Sequence, residues 1–407
     1  MPAARFLLFP LLPLLAACHG FSPSAARQNP RLVVSAGAFD REQSVVSFSA
    51  GPSLSKYRAL RDEQNRLFAL QIDETGEASF ILDSLSAGGN RTFQFVRDAP
   101  PAPMLKTKRD GRRVTISGTA PIVSYQAEPG DLPRSSVRKI FQRGGYLHPV
   151  YTPAGKIITD DFATNHLHHH GIWMAWTKTE FQGRHPDFWN MGDGKGRVEF
   201  VGLDKNWSGA VHAGFSARHR FVDTTGSAPV AALNETWTVK AYQMSATNSS
   251  HRPRHVFDLI STQTCASSDP LRLPAYHYGG LGFRGHESWN GKEQTRFLTS
   301  EGISDRVQGN TTTGRWCHIS GEVSGTTAGI TIFNHTGNFR SPQPMRLHPT
   351  EPFFCYAPQQ QGDMEIKPGT PYISRFRFVV QDGEPDSKEL DRLWNDYAHP
   401  PLAKILP

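Results

Sequence analysis

The chain has 407 residues, of which 38% are hydrophobic and 20% are charged, so it can bury a substantial core and is not globally disordered. Lys and Arg number 44 against 37 Asp and Glu, and the resulting net charge of +7 does not by itself indicate nucleic-acid binding. Gly (36) and Pro (30) are frequent without a repeat period, which predicts many turns rather than collagen or a linker.

The start of the chain is typical of an export signal. Arg5 precedes an apolar run over residues 6–15, and Leu15-Ala16-Ala17-Cys18 resembles a bacterial lipobox. We therefore expect a lipoprotein signal over residues 1–18, a tether over 19–30, and a lipid on Cys18 that anchors the protein to the periplasmic side of the outer membrane. An ordinary signal peptide cleaved nearby is the alternative. Elsewhere no apolar stretch is long enough to span a membrane.

Lipidation of Cys18 would leave three cysteines, Cys265, Cys317 and Cys355. Two of them could pair in an exported protein, and the sequence does not choose which. The chain contains no Cys-x-x-Cys motif, which disfavours a thiolate zinc site.

Residues 31–400 are predicted to form one β domain. Short runs of β-favouring residues, several with polar–apolar alternation, recur between turn signals, at 67–72, 92–96, 114–117, 197–201, 235–239, 256–260 and 374–380. Asp110-Gly111 predicts a hairpin turn. No internal repeat is visible, which disfavours a propeller or a solenoid.

The tail is the exception to this β pattern. Leu390, Leu393, Trp394 and Tyr397 have helical spacing, Asp386-x-x-Glu389 resembles a capping box, and two prolines follow. The sequence thus predicts an all-β protein, a large two-sheet antiparallel β-sandwich with a short C-terminal helix, for which a supersandwich, mutarotase-like form is one possibility.

A histidine cluster is the strongest chemical signal. His166, His168, His169 and His170 fall within five positions, after the carboxylates of Asp160 and Asp161. On a strand, His166, His168 and His170 would share one face, whereas a loop could bring His166, His168 and His169 together. Three imidazoles suit a divalent metal ion such as zinc, copper, nickel or iron, and the carboxylates could bind the metal or orient a ring. Metal-free acid–base chemistry and a histidine-rich structural turn are the alternatives.

Aromatic residues surround the cluster, and their flat faces would suit a sugar ring. The candidates for substrate binding are Tyr151, Trp173, Trp176 and Trp189, with ordinary core packing as the alternative. Interspersed charged and amide groups favour a polar cleft over a dry core.

Two later segments supply further candidates. His277, Arg284 and Glu287 lie in a segment whose Gly280-x-Gly282-x-x-Gly285 matches a dinucleotide fingerprint only formally, because no helix pattern follows it. His335 ends the strand-like run 329–333, where a side chain could reach a cleft. We expect His169, His277, Glu287 and His335 to be catalytic candidates and Arg284 to bind substrate.

Several motifs together resemble a known family. Tyr146-Leu147-His148-Pro149-Val150-Tyr151, Thr159-Asp160-Asp161-Phe162, the histidine segment through Trp173, and Asp187-Phe188-Trp189-Asn190 are similar to a bacterial family of unknown function labelled methane oxygenase PmoA. The resemblance covers about residues 140–400 and implies an exported β-sandwich with His166, His168, His169 and Trp173 at the site. Members often have Asp-His-Pro-His-His, where this chain has Asn165 and Leu167.

The sequence therefore favours an exported enzyme that acts on a carbohydrate or an oxidised sugar by hydrolysis, β-elimination or epimerisation, with a metal held by His166, His168 and His169. A glycan-binding lipoprotein without catalysis is the alternative, and a metal-dependent oxygenase, the reaction in the label, is a third. We expect a carbohydrate partner, a membrane contact only through Cys18, and no nucleic acid.

Overall fold

The computed structural model describes residue 1 and residues 29–98, 104–244 and 252–406. The predicted signal, Cys18 and almost all of the predicted tether lie outside these residues. In the part that is described, no helix is long and apolar enough to cross a membrane.

The first third of the chain is built from ten strands. They are β1 (Arg31–Ser35), β2 (Arg41–Ser49), β3 (Ala59–Asp62), β4 (Leu67–Ala69), β5 (Gln71–Ile72), β6 (Glu77–Leu85), β7 (Asn90–Val96), β8 (Lys106–Asp110), β9 (Arg113–Ser117) and β10 (Pro121–Gln126). Short 3-10 turns occur here and later, at Pro52–Leu54, Lys139–Phe141, Met191–Asp193, Glu287–Trp289 and Pro358–Gln361.

The middle of the chain contributes the longest strands. They are β11 (Tyr146–Val150), β12 (Asp161–Ala163), β13 (His166–His170), β14 (Ile172–Ala175), β15 (Gly196–Trp207), β16 (His212–Asp223), β17 (Val230–Tyr242), β18 (Arg254–Cys265), β19 (Leu271–Leu273) and β20 (Gly280–Arg284).

The last third contains the remaining strands and two helices. They are β21 (Arg296–Thr299), α1 (Arg306–Gly309), β22 (Trp316–Val323), β23 (Thr326–Asn334), β24 (Met345–Leu347), β25 (Phe353–Tyr356), β26 (Met364–Ile366), β27 (Tyr372–Asp382), α2 (Ser387–Ala398) and β28 (Leu402–Leu406).

Two eight-stranded antiparallel sheets form the main body. The front sheet has the order β24-β25-β20-β14-β11-β10-β9-β8, and the back sheet has the order β15-β16-β17-β18-β27-β23-β22-β21. Their facing sides bury an apolar core that includes Trp237, Phe257, Phe283, Phe354 and Phe378. The predicted all-β, two-sheet antiparallel sandwich is confirmed, and each predicted strand run lies in a strand except 67–72, which is divided between β4 and β5.

The N-terminal strands form a smaller pair of sheets with a core of its own. Here β28-β1-β7-β3-β4 make one sheet and β2-β6-β5 the other. Leu32, Phe80, Phe93 and Phe95 fill the space between them and are almost fully buried.

Helix α2 packs between these two bodies. Asp386 caps its N-terminus by accepting hydrogen bonds from the backbone N–H groups of Lys388 and Glu389, as the capping pattern predicts. Leu390, Leu393 and Trp394 are buried in a cluster with residues of β2 and of the back sheet. The predicted amphipathic tail helix is therefore confirmed.

The described cysteines are free thiols. Cys317 and Cys355 are buried, and Cys265 is half-buried. No disulfide joins any two of these three.

Candidate functional site

The outer face of the front sheet carries the histidine cluster. Four neighbouring strands align Trp173, Gly282, Cys355 and Arg346 in one row, because Trp173 pairs with Gly282, Gly282 with Cys355, and Cys355 with Arg346. Residues that pair directly across antiparallel strands point to the same side of a sheet. The outer face therefore presents an indole, a glycine, a thiol and a guanidinium in sequence.

A second row lies beside the first. Arg284 pairs with Phe353, and the His348 backbone N–H donates to the Phe353 carbonyl at 3.1 Å. This row therefore places a cation, a phenyl ring and an imidazole on the same outer face as Trp173 and Arg346.

The hairpin of β12 and β13 covers these two rows. It ends at Gly171, whose φ of +51° and close approach to the Leu147 carbonyl leave no room for a side chain. The pairing of β12 with β13 also shifts register between Asp161 and Ala163, as at a β-bulge. The hairpin can therefore fold back over the sheet and re-aim its side chains.

Three imidazoles of this hairpin lie together. The ring centroids of His166 and His169 are 4.7 Å apart and their planes differ by 7°, and the His168 ring is 4.6 Å from that of His169. His166 also lies 6.0 Å from His348. Of the two arrangements open at the sequence level, the structure has the one in which His166, His168 and His169 converge.

His169 is held against the aromatic floor of the sheet. Its ring centroid lies 4.9 Å from that of Phe353 and 5.0 Å from that of Trp173, and Trp189 packs 4.8 Å from Trp173. A side chain at Gly282 would meet both indoles, at 2.7 Å from Trp189 Cη2 and 2.8 Å from Trp173 Cε2. The missing side chain at Gly282 therefore lets the two indoles lie over the sheet.

His170 points away from the other three rings. Its Nδ1 lies 2.6 Å from Asp161 Oδ1, and the Tyr146 hydroxyl donates to Asp161 Oδ2 at 2.9 Å. Burial raises the pKa of Asp161, but the hydrogen bonds from His170 and Tyr146 outweigh it and leave the pKa lowered. Asp161 therefore fixes the buried end of the hairpin.

Arg284 joins the hairpin to the sheet. Its fully buried guanidinium donates from Nη2 to Asn165 Oδ1 at 2.7 Å and to Asn290 Oδ1 at 2.6 Å, and its Nη1 lies 3.0 Å from Glu351 Oε2. Asn165 also donates to Glu351. Asn165, where the similar family often has Asp, thus binds a cation and a carboxylate rather than an imidazole.

The clustered imidazoles are neutral at physiological pH. Burial lowers the pKa of His168 and of His348 to about 4, and it lowers the pKa of His169 well below its ordinary value. Burial, assisted by the Arg284 charge, also lowers the pKa of His166. A neutral ring offers one N–H donor and one lone pair.

Several ring nitrogens at the site have no protein partner. His166 Nδ1, His169 Nδ1 and Trp173 Nε1 are buried without a hydrogen bond. His348 differs, because its Nδ1 accepts from the Glu351 N–H at 3.0 Å, which leaves the proton of the neutral ring on Nε2. The site therefore has free donors and acceptors on one side of the sheet.

As these rings lie, they do not fit a common metal ion. An imidazole lone pair lies in the ring plane, so the stacked rings of His166 and His169 cannot both direct one at the same point about 2.0–2.1 Å away. Among residues 29–98, 104–244 and 252–406, no three His, Cys, Asp or Glu side chains are arranged to hold a metal. Metal binding by His166, His168 and His169 stays a prediction, and it requires that their side chains adopt other rotamers.

Two tyrosines border the cluster. Tyr276 and Tyr278 are half-buried with ring centroids 5.0 Å apart, and Tyr278 packs 5.4 Å from Trp189. Asn190 Nδ2 donates to the Tyr278 hydroxyl at 3.0 Å and to Asp187 Oδ2 at 2.8 Å. His277 is exposed and packs 4.7 Å from Tyr278, so it lies at the margin of the site.

Other predicted residues lie elsewhere. His335 follows β23 of the back sheet and packs 5.0 Å from Tyr397 of α2. Exposed Glu287 adjoins a separate cavity of about 660 Å³ that is lined by residues such as His286, Arg296 and Glu322. The Tyr151 carbonyl approaches His255 of the back sheet. The structure does not bring His335, Glu287 or Tyr151 to the histidine cluster.

The tryptophans differ from the open platform that the sequence suggests. Trp173 and Trp176 are 0% exposed and Trp189 is 1% exposed. Trp176 donates instead to Gln263 Oε1 at 2.8 Å in the interior. Trp173 and Trp189 thus support the site from below and offer no free face.

Sequence reasoning missed His348, Glu351 and Phe353. The signal that could have found His348 is the alternation in Met345-Arg346-Leu347-His348, where the apolar residues face the core and the polar residues face outwards. Three residues are too few to identify as a strand from sequence alone.

A family model described as a family of unknown function (DUF6807) matches residues 113–395. No curated protein is significantly similar to the chain. Solved structures that are similar include an alpha-mannosidase from Enterococcus faecalis V583, with 10% identity, a TM-score of 0.45 and coverage of 93% of this chain and 46% of that one. A Glycosyl Hydrolase Family 38 protein from Enterococcus faecalis has 9% identity, a TM-score of 0.40 and coverage of 93% and 47%. The chain thus spans about half the length of these two proteins.

Proposed function

The chain belongs to the family of unknown function DUF6807, and we propose that it is an enzyme that acts on a carbohydrate or an oxidised sugar at its histidine pocket. The histidine pocket consists of His166, His168, His169 and His348, together with the flanking Tyr276, Tyr278 and Arg346. The observation that carries the proposal is the packing of four neutral imidazoles, two with unbonded buried nitrogens, on one side of a rigid sheet.

The unbonded nitrogens favour a ligand rich in hydroxyl groups. Leaving a buried donor or acceptor without a partner costs about 1–3 kcal/mol, which a bound hydroxyl or water would recover. His166 Nδ1 and His169 Nδ1 are such atoms. A sugar hydroxyl both donates and accepts, as a neutral imidazole does.

The tyrosines take over the stacking role that the sequence suggested for tryptophan. Tyr276 and Tyr278 are half-buried and adjacent, and each presents an apolar ring with a polar tip. We therefore assign the sugar-stacking surface to these two rings and give Trp173 and Trp189 a supporting role.

His168 and His348 are the catalytic candidates. Both are half-buried, so a substrate can reach them, whereas His169 is only 4% exposed and positions its neighbours. His348 presents Nε2–H as a donor, and His168 makes no hydrogen bond within the described residues, so its lone pair is free to accept a proton. Hydrolysis, β-elimination and epimerisation all need such a proton transfer.

The test is turnover of a panel of neutral and acidic polysaccharides by wild type and by His168→Gln and His348→Gln. Reducing ends report hydrolysis, an unsaturated product reports β-elimination, and exchange of solvent deuterium into the sugar reports epimerisation. General acid–base groups contribute about 10²–10⁴-fold, so each variant is expected to lose at least about 100-fold. His185→Gln, at an exposed position away from the cluster, is the matched control. Full turnover in folded His168→Gln and His348→Gln proteins would overturn the proposal.

Glycan binding without catalysis is the second candidate function, and the half-buried tyrosine pair favours it. Retained affinity for a polysaccharide in the two histidine variants, with no turnover by wild type, would select it. Consumption of dioxygen during turnover would instead select the third candidate, a metal-dependent oxygenase.

The metal-assisted form of the enzyme is a separate proposal. His166, His168 and His169 would have to change rotamers to bind one divalent ion. Elemental analysis of the purified protein, with His168→Ala and His169→Ala as comparisons, tests it. A stoichiometric metal that both variants lose supports it, and an equal metal content in all three proteins overturns it.

We also propose that the protein is a lipoprotein on the periplasmic side of the outer membrane, because Leu15-Ala16-Ala17-Cys18 follows a short apolar run. Labelled palmitate should be incorporated by wild type and not by Cys18→Ser. Equal labelling of both, or labelling of neither, would overturn it.

A further inference from the structure

One guanidinium on the outer face of the front sheet has no partner. Arg346 stands at the edge of the histidine pocket, in the row that begins with Trp173 and passes through Gly282 and Cys355. It is half-buried, yet throughout residues 29–98, 104–244 and 252–406 nothing forms an ion pair or a hydrogen bond with its side chain.

Arg284, in the adjacent row, shows what such a charge normally requires. Its buried guanidinium contacts Glu351, Asn165 and Asn290. Partial burial of a cation without an acceptor is unfavourable, and an anionic ligand would offset that cost through charge-assisted hydrogen bonds. Arg346 lacks the equivalent acceptors.

The neighbours of Arg346 do not supply the missing negative charge. Burial raises the pKa of the Cys355 thiol to about 12, so that group stays neutral. The imidazoles of His277 and His348, which are close enough to feel the charge of Arg346, carry no negative charge in either protonation state. Uncharged donors and a lone cation together form a site for an anion.

We propose that Arg346 binds the carboxylate of the substrate, which makes the substrate an acidic sugar, a uronate. This inference rests on the function proposed above, because it assumes that the histidine pocket takes a sugar. The planar guanidinium fork matches a carboxylate with two parallel hydrogen bonds. The Nε2–H of His348, two residues beyond Arg346, would bind the hydroxyl groups of the sugar, and the rings of Tyr276 and Tyr278 would bind the face of the sugar ring.

A carboxylate in this position favours β-elimination and epimerisation over hydrolysis. When a base removes the proton on the carbon next to the carboxylate, the electron pair moves into the carboxylate group, where Arg346 stabilises it. In β-elimination the electron pair then forms a C=C bond to the next ring carbon, the C–O bond of that carbon breaks, and the departing sugar oxygen takes a proton. In epimerisation the same carbon is reprotonated from the opposite side. Both reactions are redox-neutral and need no further reactant.

The experiment measures binding of uronate oligosaccharides and of their methyl esters, which differ only in the charge of the carboxyl group. Wild type should bind the free acids more tightly. Arg346→Gln should weaken binding of the acids by about 10- to 100-fold and leave binding of the esters within about threefold, since a hydrogen bond to a charged group is of that strength. Arg346→Lys should recover only part of the loss, because lysine lacks the fork. Arg220→Gln, an exposed arginine on the back sheet, controls for net charge.

The outcomes separate this inference from the proposed function. Equal binding of acids and esters by wild type, or equal weakening of both by Arg346→Gln, overturns the carboxylate site, as does tighter binding of sulfated than of uronate oligosaccharides. If His168→Gln still abolishes turnover in that case, the proposed function stands. If acids bind through Arg346 and no turnover is found, the carboxylate site stands and the enzymatic function fails.

Discussion

Gly282→Ala is the substitution that tests most directly how the floor of the histidine pocket is built. The glycine lies in the centre of the front sheet, under the indoles of Trp173 and Trp189. The new methyl carbon would lie 2.7 Å from Trp189 Cη2 and 2.8 Å from Trp173 Cε2. Since carbon atoms in contact are normally about 3.5–4.0 Å apart, both rings would have to move by about 1 Å.

Neither indole has room to move. Trp173 is 0% exposed and Trp189 is 1% exposed, and Phe353 and His169 pack on the same rings. Inserting a methyl group into a packed core of this kind costs about 1–3 kcal/mol. Because His169 rests on Trp173, we also expect weaker ligand binding at the pocket.

Urea denaturation of wild type, Gly282→Ala and Gly202→Ala measures this cost. Gly202 lies in β15, and its added methyl group would meet only the tip of the exposed Arg218 side chain, at 3.3 Å. We expect Gly202→Ala to stay within about 0.5 kcal/mol of wild type. A free energy of unfolding for Gly282→Ala that also stays within that range would refute the close contact between the sheet and the indoles.

Three further predictions concern buried polar groups. Burial lowers the pKa of His318 to about 3, below its unfolded value of about 6.5, so the neutral ring stabilises the fold above pH ~6.5. This stabilisation is lost as the pH falls towards 3, at about 1.4 kcal/mol per pH unit. His318→Gln should therefore show a shallower decline of unfolding free energy between pH 6.5 and 4, and an unchanged slope would contradict it. Asp161→Asn should destabilise the protein by about 1–3 kcal/mol, because the amide keeps only one of the two acceptor oxygens that His170 and Tyr146 use; the urea midpoint checks this. Arg284→Met should cost about 3–5 kcal/mol, because half-buried Glu351 loses its cationic partner and Asn165 and Asn290 lose their donor, and a smaller loss than that of Asp161→Asn would contradict it.

The main sheets could be predicted from sequence because their signals are local. Alternating runs such as 235–239 and 374–380 lie within β17 and β27, and the spacing of Leu390, Leu393 and Trp394 identifies α2. Local patterns do not, however, specify distant partners. Strand β28 pairs with β1 in a register that places Leu406 opposite Arg31. A strand from the end of the domain thus completes the small N-terminal sandwich. No change of composition near residue 100 indicates that the N-terminal strands have a core of their own.

The candidate site likewise has a part that local sequence predicts and a part that depends on distant strand pairing. The histidine segment was identifiable because four imidazoles in five positions are a local feature. Which rings converge depends on the register shift in the hairpin and on Gly171, and neither effect can be derived from spacing alone. His348 enters through the pairing of β24 with β25, whereas His335 ends a strand of the opposite sheet. Proximity in a sandwich is decided by which sheet a strand joins, and the side-chain pattern of one strand carries no information on that choice.

The buried guanidinium of Arg284 connects the geometry of the pocket with its electrostatics. It holds the hairpin through Asn165 and the sheet edge through Glu351, so the imidazoles keep their positions only while this cation is in place. After burial, its positive charge is also among the causes that lower the pKa values of His166, His168, His169 and His348. Burial and this fixed charge act in the same direction, and burial is the larger cause for each ring. The residue that joins the hairpin to the sheet therefore also helps to keep the rings as neutral donors and acceptors, as a site that binds hydroxyl groups requires.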